Sequence, residues 1–120
     1  MDGYIINIEK KTLDNNAYRE VLFTTKRSQL VVMTLQPEEE IGMEVHEEHD
    51  QFIRVEMGEG KAILNGEVHL LEDGSAVVIP AGVEHNIINA SAIHPLRLYT
   101  IYTPPEHPEG TIHQTKQEAR

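Results

Sequence analysis

The dipeptide Asn65-Gly66 stands between two apolar runs, "KAIL" and "EVHLL". Both residues tolerate positive φ, which a two-residue type I′ loop requires at both central positions, so this stretch reads as a β-hairpin. The surrounding sequence follows the same plan of short apolar or alternating runs cut by turn signals. "SQLVVMTLQ" (Ser28 to Gln36) is rich in β-branched and apolar residues. In "QFIRVEM", Gln51, Ile53 and Val55 share one face, and Phe52, Arg54 and Glu56 share the other. "GEG" at Gly58 to Gly60 is a turn, "AVVIP" is a buried strand stopped by Pro80, and "HNIIN" and "LRLYTIY" supply two more strands. With an edge strand over Val21 to Thr25, the count is about eight. Asn15 and Asn16 signal a turn ahead of it. No long regular helix is expected.

An all-β, antiparallel jelly-roll barrel is the economical architecture, because two sheets rolled together bury their inward faces and protect their edges. The expected organisation is a single domain over 1–120, with a barrel core at about 20–103. Pro104, Pro105 and Pro108 predict that 104–120 leaves the barrel as an extended proline-rich arm with a short helical end.

Charge and composition remove several function classes. Lys and Arg number 10 against 20 Asp and Glu, giving a net charge of -10. Such a surface repels phosphate backbones and anionic membranes, so no nucleic-acid or membrane partner is expected. The chain has no cysteine, which excludes disulfides, thiolate chemistry and Cys-bound zinc. Any metal must therefore be held by nitrogen and oxygen. The N-terminal "MDGYIINIEKKTLD" does not resemble a secretory signal, and no window holds 18 apolar residues. A cytoplasmic location is the default expectation.

The segment "GSAVVIPAGVEHNIIN" narrows the fold further. Gly74, Pro80, Gly82, His85 and Asn89 fit the pattern Gly, five residues, Pro, one residue, Gly, two residues, His, three residues, Asn. Gly74 closes a turn, Pro80 ends a strand, Gly82 gives freedom for a tight reversal, and His85 opens the next strand. This matches the second signature motif of the cupin superfamily. The first cupin motif, Gly, five residues, His-x-His, three or four residues, Glu, six residues, Gly, is met with departures. Counting back from Gly58 places Gln51 where the motif has Glu, and His46 at its second His. Glu44 takes the place of the first His, and Glu38 stands where the leading glycine would be. From about Asn16 to the ending "GTIHQTK", the chain resembles small bacterial single-domain cupins, some of them loosely called sugar-phosphate-isomerase-like.

The resemblance implies a metal site made of Glu44, His46, Gln51 and His85. Residues i and i+2 of a strand face one side, so Glu44 and His46 point into the barrel together if that segment is extended. Gln51 opens the inward face of the next strand, and His85 comes from a different one. Two imidazoles, a carboxylate and an amide oxygen suit one divalent transition ion, Fe, Mn, Ni, Co or Zn. Glu44 is the candidate ligand and base. His49 falls on no ligand position and reads as an exposed residue, with a pocket-rim acid or base as the alternative. His69 and His94 read as solvent-facing, and His107 and His113 belong to the arm, where closing the barrel mouth is the functional alternative. Arg54 faces away from the ligands, Met33 reads as core, and one of Tyr99 and Tyr102 enters the pocket.

For function, the resemblance implies a small-molecule substrate or ligand. Cupin mannose-6-phosphate isomerases use Gln-x-His, then Glu, then His, and uronate-linearising cupins use His-x-His, then Gln, then His. Isomerase or lyase chemistry on a small sugar, uronate or keto/hydroxy acid follows. Fe(II) dioxygenase chemistry and non-catalytic ligand binding are the alternatives. A homodimer is also implied, with Phe52 and the proline-rich arm as candidate contacts.

Overall fold

Asn65 and Gly66 adopt φ of 47° and 83°, the loop that their chemistry demands, and the flanking runs pair as expected. The computed structural model describes residues 2–119. In chain order the elements are helix α1 (Ile8–Asp14) and strands β1 (Arg19–Thr24), β2 (Gln29–Leu35), β3 (Asp50–Met57), β4 (Gly60–Leu64), β5 (Glu67–Leu71), β6 (Ala76–Ile79), β7 (His85–Asn89), β8 (Leu96–Thr103) and β9 (Ile112–His113). A short 3₁₀ turn, Gln117–Ala119, follows.

The strands form two antiparallel sheets, one six-stranded in the order β6-β3-β8-β2-β1-β9 and one three-stranded in the order β5-β4-β7. The segment 39–44 adds to the free edge of β7: Ile41 N–H donates to Ile87 O at 2.9 Å, and Glu44 and His85 exchange backbone bonds of 2.8 and 2.9 Å. The jelly-roll barrel of the sequence reading is thus the observed fold. Its core is the shared inward face, where Val31, Met33, Leu35, Ile53, Val55 and Leu98 are fully buried. Each such side chain contributes about 1.5–3 kcal/mol by leaving water. Met33 is core, as expected. Phe52 lies on the outer face against Tyr99, with ring centroids 6.3 Å apart. Arg54 pairs there with Glu56 at 3.5 Å.

Three features depart from the sequence expectation. Residues 8–14 form a helix: Asn7 caps it by accepting from Lys10 N–H at 3.0 Å, and the helix packs over β2, β3 and β8. Seven residues are too few to show a helical period, so its stability comes from the cap and the docking. Second, β1 is not an edge strand, because β9 pairs beyond it, Arg19 opposite His113 and Glu20 opposite Ile112. Third, the arm does not leave the barrel. After Thr103 it folds back, and Tyr18 N–H and Val21 N–H donate to Gln114 O and Thr111 O at 3.1 and 2.9 Å. Gln29 holds the arm's start, donating from Nε2 to His107 O at 2.7 Å and accepting from the Glu106 and His107 amides.

Candidate metal centre

Strand pairing is what assembles the site. β7 carries His85 on its inward face, and the bridge between Glu44 and His85 sets the Glu44 carboxylate beside that ring. Two residues on, the His46 carbonyl accepts from Gly82 N–H at 2.9 Å, which holds this second imidazole over the start of β7. The His46 and His85 rings lie with centroids 5.2 Å apart. One ligand atom each from Glu44, His46 and His85 fall within 4.8 Å of one another. Glu44 Oε1 and His46 Nε2 are 3.8 Å apart. Neighbouring ligands at ~2.1 Å from one ion lie ~3 Å apart, so this pair would need to close by under ~1 Å to share a cation.

Hydrogen bonding prepares the same atoms. His85 Nδ1 lies 2.9 Å from Val83 O. Nδ1 therefore carries the proton and donates, leaving the lone pair on Nε2. His46 turns Nδ1 toward Glu106 Oε2 at 3.6 Å and Nε2 toward Glu44. A carboxylate behind a ligating histidine fixes its orientation and raises its basicity. Nε2 of both rings is buried without a hydrogen-bond partner. Gln51, 4% exposed, donates from Nε2 to Thr100 Oγ1 at 3.0 Å, and its Oε1 is also buried and unpartnered. Buried polar atoms are ordinarily satisfied. Three orphaned acceptors on residues with ligand chemistry fit a cation.

The arm completes the surroundings. Tyr102 is the tyrosine that turns inward; its ring stands edge-on to His46 at 6.1 Å and to His107 at 5.2 Å. Burial, reinforced by the Glu44 and Glu106 charges against an opposing Arg19, pushes its phenol far up, so it stays protonated. Around His107, burial first, then the Arg19 charge, pull its pKa down to about 4. His49 is not the exposed residue that its loop position suggested. Its Nε2 lies 2.9 Å from Glu106 Oε2, its Nδ1 lies 2.7 Å from Pro104 O, and its ring meets His46 edge-on at 5.9 Å. His69 pairs with Glu67 at 3.0 Å on an exposed strand, and His94 is exposed. Glu106 and Arg19 escaped the sequence reading. Neither lies in a motif, and only the return of the arm and the pairing of β1 bring them to the site.

Comparison with known proteins agrees with this fold. The chain is 44% identical to the uncharacterized protein YrkC of Bacillus subtilis (strain 168), over 97% of this chain and 65% of that protein. It is 45% identical to the uncharacterized protein L612 of Acanthamoeba polyphaga mimivirus, over 91% of this chain and 70% of that one. The crystal structure of BH2720 from Bacillus halodurans superposes with a TM-score of 0.94 at 41% identity, covering 97% of this chain and 92% of that one. The family described as Cupin domain matches residues 31–102. That stretch holds both motifs and all four expected ligands, and the chain belongs to the cupin family.

Proposed function

We propose that Glu44, His46, Gln51 and His85 hold one divalent transition ion, and that the protein uses it in isomerase- or lyase-type chemistry on a small polar molecule. The observation that carries this reading is the set of orphaned acceptors, Nε2 of His46, Nε2 of His85 and Oε1 of Gln51, with the Glu44 carboxylate within reach of both rings. Glu44 supplies the only formal charge among the four, so a divalent ion there keeps positive charge and, when bound, polarises a carbonyl or hydroxyl of the substrate. The mixed nitrogen and oxygen set suits Fe, Mn, Ni, Co or Zn.

The chain's own groups supply orientation and proton handling. Val83 O and Glu106 hold the two imidazoles in their ligating poses. Tyr102, kept protonated by burial, is a donor and never a phenolate at working pH. Glu106 Oε2, 2.9 Å from His49 Nε2, gives a carboxylate–imidazole pair beside His46 that can pass a proton to or from the site.

Elemental analysis of protein purified without added metal tests the reading. About one transition ion per chain is expected in the wild type, and its loss in His85→Ala and His46→Ala, with each variant still folded by circular dichroism. Turnover of small hydroxy or keto compounds is then expected to vanish in Glu44→Ala. Wild-type protein that takes up none of the five metals sinks the proposal. Metal loading without turnover of any such compound leaves a binding protein rather than an enzyme.

A further inference from the structure

Arg19 is 7% exposed, yet it forms no ion pair with a carboxylate among the described residues. Its Nη1 lies 3.3 Å from His113 Nδ1, its guanidinium carbon stands 5.2 Å from the Tyr18 ring centroid, and its Nε is buried without any partner. A buried guanidinium with no counter-ion is costly, and folded proteins ordinarily pair such a charge. Here a cavity of about 240 Å³ stands beside it, lined also by Lys116, His107, His113, Ile41 and Glu44. Glu44 is a candidate metal ligand, so the cavity that holds the guanidinium also touches the edge of the candidate metal centre. Arg19 and Lys116 bring two basic side chains to its wall, in a molecule of net charge -10. The one carboxylate among them is the one that a metal would neutralise. A larger depression of about 930 Å³, lined by Met57, Leu70, Asp73 and His94, shares no residue with this cavity and none with the metal centre.

We infer that the cavity takes a small hydroxy or keto acid, whose carboxylate is the missing counter-ion of Arg19 while its hydroxyl or carbonyl end faces Glu44, the candidate ligand in the cavity wall. The planar guanidinium fork matches a carboxylate with two parallel hydrogen bonds, and Arg19 reaches the cavity wall with its donors matched to no carboxylate among the described residues. A volume of 240 Å³ lies just under the usual range for small-molecule pockets, which suits a few-carbon acid. The inference rests on the proposed metal centre for the orientation of the acid, but the Arg19 half is testable without it.

The test is calorimetric titration of metal-loaded and chelator-treated protein with lactate, with its uncharged analogue lactamide, and with inorganic phosphate. Lactate is expected to bind at least tenfold more tightly than lactamide in both preparations, and more tightly still in the loaded one. Arg19→Met is expected to remove that preference while metal content stays at the wild-type level. Arg19→Lys keeps the charge without the fork, guards against a simple folding failure, and is expected to recover only part of the affinity. Equal affinity for lactate and lactamide, or wild-type lactate affinity in both variants, overturns the inference. Loss of metal from Arg19→Met and Arg19→Lys together also overturns it, since Arg19 would then be supporting the metal centre. Phosphate binding more tightly than lactate rejects the carboxylate assignment. A wild type that loads no metal yet prefers lactate sinks the metal reading and leaves the Arg19 site standing.

Discussion

His107 is a side chain whose surroundings change its chemistry. Its Nε2 is buried without a partner, its ring stands against Tyr102, and its pKa falls from 6.5 to about 4. In the unfolded chain this imidazole takes up a proton near its ordinary pKa of 6.5; in the folded chain it does so only near 4. Between those values the unfolded state binds more protons, so stability rises with pH across that window. The contribution is complete above the upper value and is lost as pH falls toward the lower one. Urea unfolding of chelator-treated protein at several pH values is expected to show a flatter slope over this window in His107→Gln than in the wild type. Equal slopes would assign the acid sensitivity to other groups. Arg19 contributes to the depression at His107, so the charge that awaits a carboxylate also helps keep its neighbour neutral.

At the scale of elements, backbone geometry separates what the sequence displayed from what it concealed. β2 to β8 were legible almost residue by residue, because alternation, Asn-Gly and the glycine and proline punctuation act within a few positions. Helix α1, strand β9 and the return of the arm were not, since each depends on a docking partner distant in the chain. The cupin motifs were legible for two different reasons. His85 is part of the Glu44–His46–His85 cluster that could hold an ion. Asn89 ties the barrel together, its buried amide donating to Leu35 O, Gln36 O and His94 O at 3.1, 3.1 and 2.9 Å. The displaced first motif also has a structural counterpart: Glu38, standing at its glycine position, keeps a φ of 64°. Glu38→Gly is therefore expected to stabilise the fold by up to about 1 kcal/mol, as the left-handed strain of an L-residue is relieved. Gly58→Ala should do the reverse. At φ of 115°, its Cβ would meet Pro95 O at 2.7 Å, a clash with backbone that cannot swing aside. A loss of about 3 kcal/mol or more is expected, since a strained φ alone costs 1–3 kcal/mol. Denaturant midpoints check both. A neutral Gly58→Ala would mean that the β3–β4 turn is looser than described.

For the molecule as a whole, the ion and the fold should report on each other. An ion that binds only the native chain adds RT ln(1 + [L]/Kd), about 2.7 kcal/mol at a hundredfold excess over Kd. For a chain of 120 residues that corresponds to a rise in Tm of about 10 °C. Thermal melts with and without the preferred metal are expected to show this rise in the wild type and none in His46→Ala; an equal rise in both would place the ion elsewhere. No helix among the described residues is long and apolar enough to cross a membrane. The returning arm has the broadest consequence. Every expected ligand comes from residues 44–85, whereas Glu106, His107, His113 and Lys116 come from the tail that follows the family-matched segment 31–102. The expected ligands and half of the wall around Arg19 thus sit in separate stretches of the chain, so exchanges at 106–116 can reshape that wall without touching a single candidate ligand.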